Sequence, residues 1–366
     1  MLLRKLRCAH FKNYTSVELE FADQLNLIVG PNGAGKTTLL DSIHYLSLTK
    51  SAFNTVDTQN IQHGQKAFAV EGNFIRHDKP CTVQCIFQTH KGKHFTINDK
   101  PYEKLSDHVG LLPIVFTTPY DIDLVRGGRE DRRKFFDTLL CQLDRTYLHT
   151  LLQYQHLLKQ RNSLLRLCKE TGQLDQDLLA SYEHGLLPLG KQLFRARSAL
   201  IQTFLSSFQK YYQYFVDVSE EVNLVYVSEV ASDNFEHMFR NNLQQDLALQ
   251  RTTKGAHRDE VLFLLNDHPL KRVGSQGQQK SFVIALRLAQ FECIQKALQL
   301  KPLLLLDDIF DKLDEQRIDR LVQLMGQRHF GQVFITDAKG KNSAATIRQV
   351  QADHSLIRID QGKHLP

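Results

Sequence analysis

Apolar and polar positions change period several times along this chain, and each change predicts an element. Val17, Leu19 and Phe21 alternate with charged residues, as in a half-buried strand, and Leu25 to Val29 form a short buried run. Leu39, Leu40, Ile43 and Leu46 then recur at helical spacing, so the first 50 residues predict two strands and a helix. Ala67 to Phe74 and Thr82 to Thr89 alternate again. Turn residues at His90 to Lys93 and Asn98 to Pro101 make residues 66 to 100 a set of antiparallel hairpins.

From Arg132 the period lengthens. Phe136, Leu140, Leu143, Tyr147, Leu151, Tyr154 and Leu158 fall at steps of three and four, predicting a sustained helix with a coiled-coil-like seam. After a break near Gly172, the residues Leu189, Leu193, Leu200, Phe204, Phe208, Tyr211 and Phe215 repeat the pattern. Two long helices with a turn between them form an antiparallel arm, either packed as a subdomain or projecting. Beyond it the pattern predicts a strand over Val222–Tyr226, helices around Asn234–Gln250 and over Phe282–Leu300, an apolar strand at Pro302–Leu306, a helix over Gln316–Gly326 and a strand over Gln332–Thr336. The outer thirds are therefore α/β and the middle helical.

A chain of 366 residues corresponds to one large domain or two smaller ones. Its hydrophobic fraction of 42% and charged fraction of 23% exclude disordered and collagen-like structure. No run approaches the ~18 apolar residues of a membrane span, and the N-terminal run is too short for a signal peptide. Six scattered cysteines read as reduced thiols of a cytoplasmic protein. Cys81 and Cys85 lie in an alternating run that separates them by ~13 Å, too far to share one metal ion. The histidines show neither HExxH nor a helical pair four apart. A net charge of +6 permits a nucleic-acid partner without requiring one.

The chemistry concentrates in three strings. Gly30-Pro31-Asn32-Gly33-Ala34-Gly35-Lys36-Thr37-Thr38 contains GxxxxGK[ST] between an apolar strand and a helix, the context of a phosphate-binding loop. Glycines let backbone N–H groups approach phosphate oxygens, Lys36 supplies a charge for the β- and γ-phosphates, and the Thr37 hydroxyl is a Mg²⁺ ligand. Leu303 to Leu306 form an apolar strand ending in Asp307 and Asp308, which places two acids at the edge where such a loop lies. Asp307 suits the Mg²⁺ shell, and Asp308 suits orienting or deprotonating the attacking water. Ser275-Gln276-Gly277-Gln278-Gln279 opens a helix about 30 residues before the acids, a second anion-binding feature that suggests a site completed by a partner subunit. Alone, the second string also fits a buried strand meeting a turn, and the third a polar N-cap. The three motifs decide together.

Walker A, a serine-glycine signature and a DD-type Walker B resemble the ABC-type ATPase heads. Further strings resemble the RecF family of bacterial recombination-repair proteins in the SMC-like group. These are His10-Phe11-Lys12-Asn13-Tyr14; the block from Phe116 to Asp137 with Pro119, Asp121, Leu124-Val125, Gly127 and Arg132-Arg133; Gly255-Ala256-His257-Arg258-Asp259; and Ser275 to Gln279. The similarity runs from residue 1 through at least 340. Arg129 and Ala256 stand where the family has Pro, Asp311 stands where a D-loop often has Ser, and Thr336-Asp337 replaces a switch histidine. No Q-loop glutamine is placed.

The resemblance implies an ABC-type P-loop ATPase lobe with mixed sheets, from residues 1–115 and 252–366, and an inserted, mainly helical second lobe with an antiparallel arm over 116–251. It implies a bacterial, cytoplasmic protein that uses ATP and Mg²⁺. Lys36, Asp307 and Asp308 would be catalytic, residues Gly30 to Thr38 would bind nucleotide, and Thr37 and Asp307 would hold the metal. Ser275, Gln276, Gly277 and Gln278 of one subunit would cap ATP on the other, making an ATP-dependent homodimer. The closed dimer would bind single-stranded and gapped DNA and, with RecO and RecR, help load RecA in repair, replication restart and the SOS response. Weak, DNA-stimulated hydrolysis would reset it.

Arg126, Arg129, Arg132, Arg133 and Lys134 are the densest basic cluster and the leading candidates for DNA phosphates. Lys159, Arg161, Arg166, Lys169, Arg195 and Arg197 follow along the arm, where pairing on a solvated helix face is the alternative. Tyr211, Tyr212 and Tyr214 fit either base stacking or a core seam. His257, Arg258 and Asp259 fit contacts to nucleotide or DNA, or a joint between lobes. Two rivals share parts of the pattern: a transporter ATPase, and a clamp that holds ATP without turnover. The transporter reading is disfavoured by the ~270 residues between Lys36 and Asp307 and by the RecF-like strings. An SMC protein with long arms is excluded, because each arm helix has only ~30 to 40 residues, or ~45 to 60 Å.

Overall fold

In the computed structural model, which describes residues 1–216, 220–309, 314–326, 329–338 and 353–365, the chain divides into two compact units. The first comprises Met1–Asp121, Lys210–Val218 and Gln276–Pro366, and the second Ile122–Gln209 and Ser219–Ser275.

Two six-stranded sheets build the first unit. One is antiparallel, in the order Tyr14–Glu20, Leu2–Phe11, Ala67–Arg76, Lys79–Gln88, Gly92–Ile97, Lys100–Pro101. Its first strand, Leu2–Phe11, escapes period-two reading because its register slips between Leu3 and Lys5, a bulge that puts Leu3 and Leu6 on one buried face. The other sheet runs Lys363–Leu365, His354–Asp360, Leu25–Val29, Val333–Asp337, Leu303–Leu306, Ile114–Thr117, and is parallel except at its first pair. Its strands are apolar along both faces, as a covered parallel sheet requires.

The helix Lys36–Leu48 lies in the core that both sheets share, and every residue after Thr38 is buried. A helix with no wet face must satisfy its polar groups internally. Ser42 Oγ donates to the Leu39 carbonyl, Ser47 bonds the Leu112 carbonyl, and His44 Nδ1 sits 3.0 Å from the Lys50 carbonyl. Burial lowers the His44 pKa to about 4.

The second unit is mainly helical but carries a three-stranded antiparallel sheet in the order His268–Pro269, Glu260–Leu265, Val222–Val227. The expected sustained helix is interrupted once. Arg129–Leu143 and Arg145–Thr171 meet at Asp144, whose extended backbone (φ −137°) ends one helix while its carboxylate accepts the Thr146 N–H at 2.7 Å to cap the next. Leu143 and Tyr147 keep their spacing across the break, so the seam hides it.

The returning helix, Gln176–Phe215, begins well before Leu189 and runs through Pro188. Gly185 lets the two arm helices approach: a Cβ there would lie 2.6 Å from Leu157 Cδ1. The arm is packed along its base, where the fully buried Arg161 bonds Asp246 (2.7 Å), Glu183 (2.9 Å) and Thr252 (2.8 Å). Beyond Arg161 the helix still buries Leu164 and Leu165, and only the stretch from Arg166 to the turn at Gly172 forms an exposed tip of ~10 Å.

Candidate functional site

The phosphate loop starts where the strand Leu25–Val29 ends. Gly30 is required by packing, since a Cβ would fall 2.0 Å from the Ile359 carbonyl oxygen. Gly33 (φ 80°) and Gly35 (φ 115°) occupy the left-handed region. Gly35 is also crowded, with Asn13 Nδ2 and the Tyr14 hydroxyl within 3.0 Å of where a Cβ would stand. The fully buried Tyr14 donates to the Gly35 carbonyl at 3.0 Å, and Gly362 N–H donates to the Ala34 carbonyl at 2.9 Å. The string His10 to Tyr14 thus braces the loop from behind. Lys12 extends the brace, its ammonium bonding the buried Asp41 at 2.6 Å.

Lys36 is buried and donates to the carbonyls of Gly30 (2.9 Å) and Pro31 (3.0 Å). A phosphate offers this ammonium stronger, charge-assisted bonds than two neutral carbonyls do. The Thr37 hydroxyl lies 3.0 and 2.9 Å from the two oxygens of Asp307. Thr336, on the adjacent strand, donates to Asp307 Oδ1 at 2.7 Å and accepts the Asp308 N–H at 2.8 Å. Asp307 N–H donates to the Thr117 carbonyl at 2.9 Å.

Burial raises the Asp307 pKa above the usual carboxylate range; the hydroxyls of Thr336 and Thr37 oppose that rise, and the Asp308 charge adds to it. Among the described residues no lysine or arginine forms an ion pair with Asp307. A buried carboxylate with an adjacent hydroxyl and no fixed cation is a hard-oxygen donor set that fits Mg²⁺. Asp308 takes left-handed backbone (φ 46°), a conformation costly for a non-glycine residue and held by the Thr336 bond.

Thr336 carries a role that no motif signals, although its place near the end of an apolar strand marks it as a departure from the family pattern. Asp337 follows, buried, paired in register with Val29 at the mouth of the loop. Of the D-loop string, Asp311 to Leu313 lie outside the described residues.

The signature stretch opens the helix Gln276–Leu298. Ser275 and Gln276 are exposed, Gly277 and Gln278 partly so. Arg317 supports this turn. Its Nε donates to the buried Ser281 Oγ at 2.7 Å, it pairs with Asp314, and its guanidinium would stand 3.5 Å from a Cβ added at Gly277. Further along, Arg287 forks onto both oxygens of Asp121 at 2.7 Å, tying the helix to the turn after Ile114–Thr117.

In the second unit the basic candidates separate. Arg126, Arg129 and Lys134 are exposed. Arg132 pairs with Glu260 and bonds the Leu124 and Gly127 carbonyls, and Arg133 is partly buried and donates to the Asp259 carbonyl at 3.2 Å. Arg161 and Arg197 are not on a solvated face at all. Arg197, 3% exposed, holds Asp137 through two bonds (2.9 and 3.0 Å) and Asp259 at 2.8 Å. Tyr147 and Tyr226 complete the network on the same two carboxylates, each at 2.5 Å. His257 is held between Tyr154 OH (2.9 Å) and the Thr252 carbonyl (3.0 Å), and burial lowers its pKa to about 4. Asp259 and His257 are therefore structural. Tyr211 and Tyr212 are buried in the core seam.

An antiparallel sheet and a largely parallel one around a phosphate-loop helix, with the acids just past the end of a parallel strand, are the fold of an ABC-type ATPase head. A solved SmcHead bound to a domain of ScpA shares it as fold alone, with a TM-score of 0.59 at 14% identity, covering 100% of this chain and 96% of that one. The model of the RecF/RecN/SMC N terminal domain matches residues 2–356. The DNA replication and repair protein RecF of Cytophaga hutchinsonii is 44% identical over 363 residues, which is 99% of this chain and 96% of that protein. A structure of the recombination mediator protein RecF-ATP in the RecFOR pathway matches with a TM-score of 0.89 at 26% identity, covering 100% of this chain and 98% of that one. The chain belongs to the RecF family of DNA replication and repair proteins. The transporter reading falls with that. Among the described residues no helix is long and apolar enough to cross a membrane.

Proposed function

We propose that this chain is an ATP-gated DNA-binding switch of recombinational repair and replication restart. The observation that carries the reading is the carboxylate of Asp307 between the hydroxyls of Thr37 and Thr336, beside a braced phosphate loop. When bound there, Mg²⁺ would neutralise phosphate charge. Lys36 exchanges the Gly30 and Pro31 carbonyls for phosphate oxygens, while Thr37 and Asp307 would hold the metal. Asp308, pinned by Thr336, orients the attacking water or takes its proton.

Ser275, Gln276, Gly277 and Gln278 of one subunit cap ATP on the other. ATP then favours the homodimer by its differential affinity for the closed state, and ADP, lacking the γ-phosphate, does not. The closed dimer binds single-stranded or gapped DNA. With RecO and RecR it helps load RecA and supports the SOS response, and slow, DNA-stimulated hydrolysis resets it. The ATP-bound relative in the RecFOR pathway supports this reading.

Thr336-Asp337 in place of a switch histidine favours a second reading, a clamp that holds ATP without useful turnover. Asp308→Asn separates the two: it abolishes resetting in a switch and changes nothing in a clamp. The primary test is fluorescence anisotropy on a gapped duplex with ATP, ADP or no nucleotide, for wild type and Ser275→Arg. Tight binding with ATP alone, lost in the variant, is expected. Binding indifferent to nucleotide and to the substitution would overturn the gating.

A further inference from the structure

Most buried or half-buried arginines of the second unit are matched to carboxylates: Arg132 to Glu260, Arg161 to Asp246 and Glu183, Arg197 to Asp137 and Asp259. A second group is not. Arg129 extends its Nη1 to the Arg258 carbonyl at 3.4 Å, and Arg133, one helical turn on, reaches the Asp259 carbonyl at 3.2 Å. Both guanidinium groups therefore lie against the backbone of Arg258 and Asp259. Burial and, after it, the charges of Arg129, Arg251 and Arg133 act unfavourably on the cation of Arg258, which is partly exposed, while Arg251 is exposed. Among the described residues, neither Arg251 nor Arg258 forms an ion pair. The acid that acts on Arg258 is Glu229, which is committed to Lys254 at 3.2 Å, while Asp137, Glu130 and Asp259 act favourably on Arg133 without forming an ion pair with it among the described residues.

The segment that carries Arg251 and Arg258 is built to hold them still. Thr252 N–H and its hydroxyl both donate to Asn162 Oδ1 (2.7 and 2.8 Å), and Arg161 bonds the same hydroxyl. Thr253 bonds Asp246 Oδ1 through N–H and hydroxyl, at 2.9 and 2.7 Å. His257 closes the segment onto the Thr252 carbonyl, and Arg258 N–H donates to the Gly255 carbonyl at 2.8 Å. The polar groups around the two arginines are used within the fold, and the guanidinium ends are not. Gathering like charges without partners opposes folding, and an anion bridging them relieves that repulsion. Because the supporting loop is already ordered, binding costs little reorganisation.

We infer that Arg129, Arg133, Arg251 and Arg258 form one phosphodiester-binding site, in which Arg251 and Arg258 take backbone phosphates of DNA. This site rests on the DNA-binding reading proposed for the chain, and it moves the centre of that interaction from the helix Arg129–Leu143 to the turn ending at Arg258. Arg132 is excluded from it, being spent on Glu260.

The test measures binding to the gapped duplex with ATP over a series of salt concentrations. Removing one arginine–phosphate pair should reduce the slope of log K against log salt by about 0.9 on duplex. The double variant Arg251→Ala, Arg258→Ala should bind roughly tenfold or more weakly near 0.1 M salt, with a slope shallower by nearly 2. ATP-dependent dimerisation, followed by light scattering, should stay intact, which shows that the variant folds. Glu229→Gln, which removes an acid from the cluster, should move affinity the other way. If wild type binds and neither variant changes affinity or slope, the site is elsewhere while the DNA-binding reading stands. If wild type does not bind the duplex with ATP, both fall.

Discussion

Two sets of buried carboxylates, one in each unit, are held in opposite ways. Asp137 and Asp259 share the guanidinium of Arg197 and accept tyrosine hydroxyls, so both are ion-paired inside the fold. Among the described residues, the side chains that hold Asp307 are the hydroxyls of Thr37 and Thr336, and Lys36 turns its ammonium to the loop carbonyls instead. The first arrangement fixes geometry. Burial raises the pKa of both Asp259 and Asp307, and the second arrangement leaves its carboxylate without an ion pair among the described residues. A carboxylate neutralised by a fixed cation serves the fold; one that is merely oriented serves a ligand.

Among single substitutions, removing the cation from the first arrangement should have the largest effect. Arg197→Ala leaves two carboxylates buried without their counter-charge and should destabilise the protein by about 3–5 kcal/mol, read by urea unfolding. A loss below about 1 kcal/mol would mean that the clamp is ornamental.

Acid should attack both units, unequally. His44, His108 and His257 each have pKa values lowered by burial to about 4, against about 6.5 when exposed. The unfolded chain therefore binds more protons between pH 6.5 and 4, and stability present above 6.5 is lost as pH falls through that window. At pH 5 the loss is about 2 kcal/mol per histidine. Hydrogen exchange at pH 7 and 5 should show the first unit, with two of the three, losing more protection than the second.

Asp307→Asn inverts the first experiment. It removes a charge that burial already disfavours, so the nucleotide-free protein should melt within about 1 kcal/mol of wild type or above it. Mg²⁺-dependent ATP binding, by calorimetry, should nevertheless weaken about tenfold or more, or ~1.4 kcal/mol. Large destabilisation would put Asp307 in the same class as Asp137. The smallest effect is expected from Tyr14→Phe, which removes the bond to the Gly35 carbonyl and should cost ~1 kcal/mol.

Much of this was legible in the sequence because the chemistry is local there. Gly30 to Thr38 are contiguous, and Leu303 to Asp308 present acids at a strand end whatever the rest of the chain does. The bulged strand Leu2–Phe11 and the break at Asp144 were not legible, because each preserves an apolar spacing while changing the backbone. The fates of Arg161 and Arg197 were hidden for another reason. A lysine- and arginine-rich helix reads as a wet face, and only partners far along the chain, such as Asp246 and Asp259, reveal them as buried. Thr336 is the same case: its worth comes from a register with Leu25–Val29 and Leu303–Leu306 that no local pattern encodes.

The packing of Gly30 against Ile359, and the bond from Gly362 to Ala34, bear on how this protein is made. The phosphate loop is synthesised early, but its back wall lies about 330 residues later. At ~5–20 residues per second a ribosome needs roughly 15 to 65 seconds to cover that distance. For that interval the nascent chain carries the loop without the backbone that packs behind it, which arrives with the strands His354–Asp360 and Lys363–Leu365.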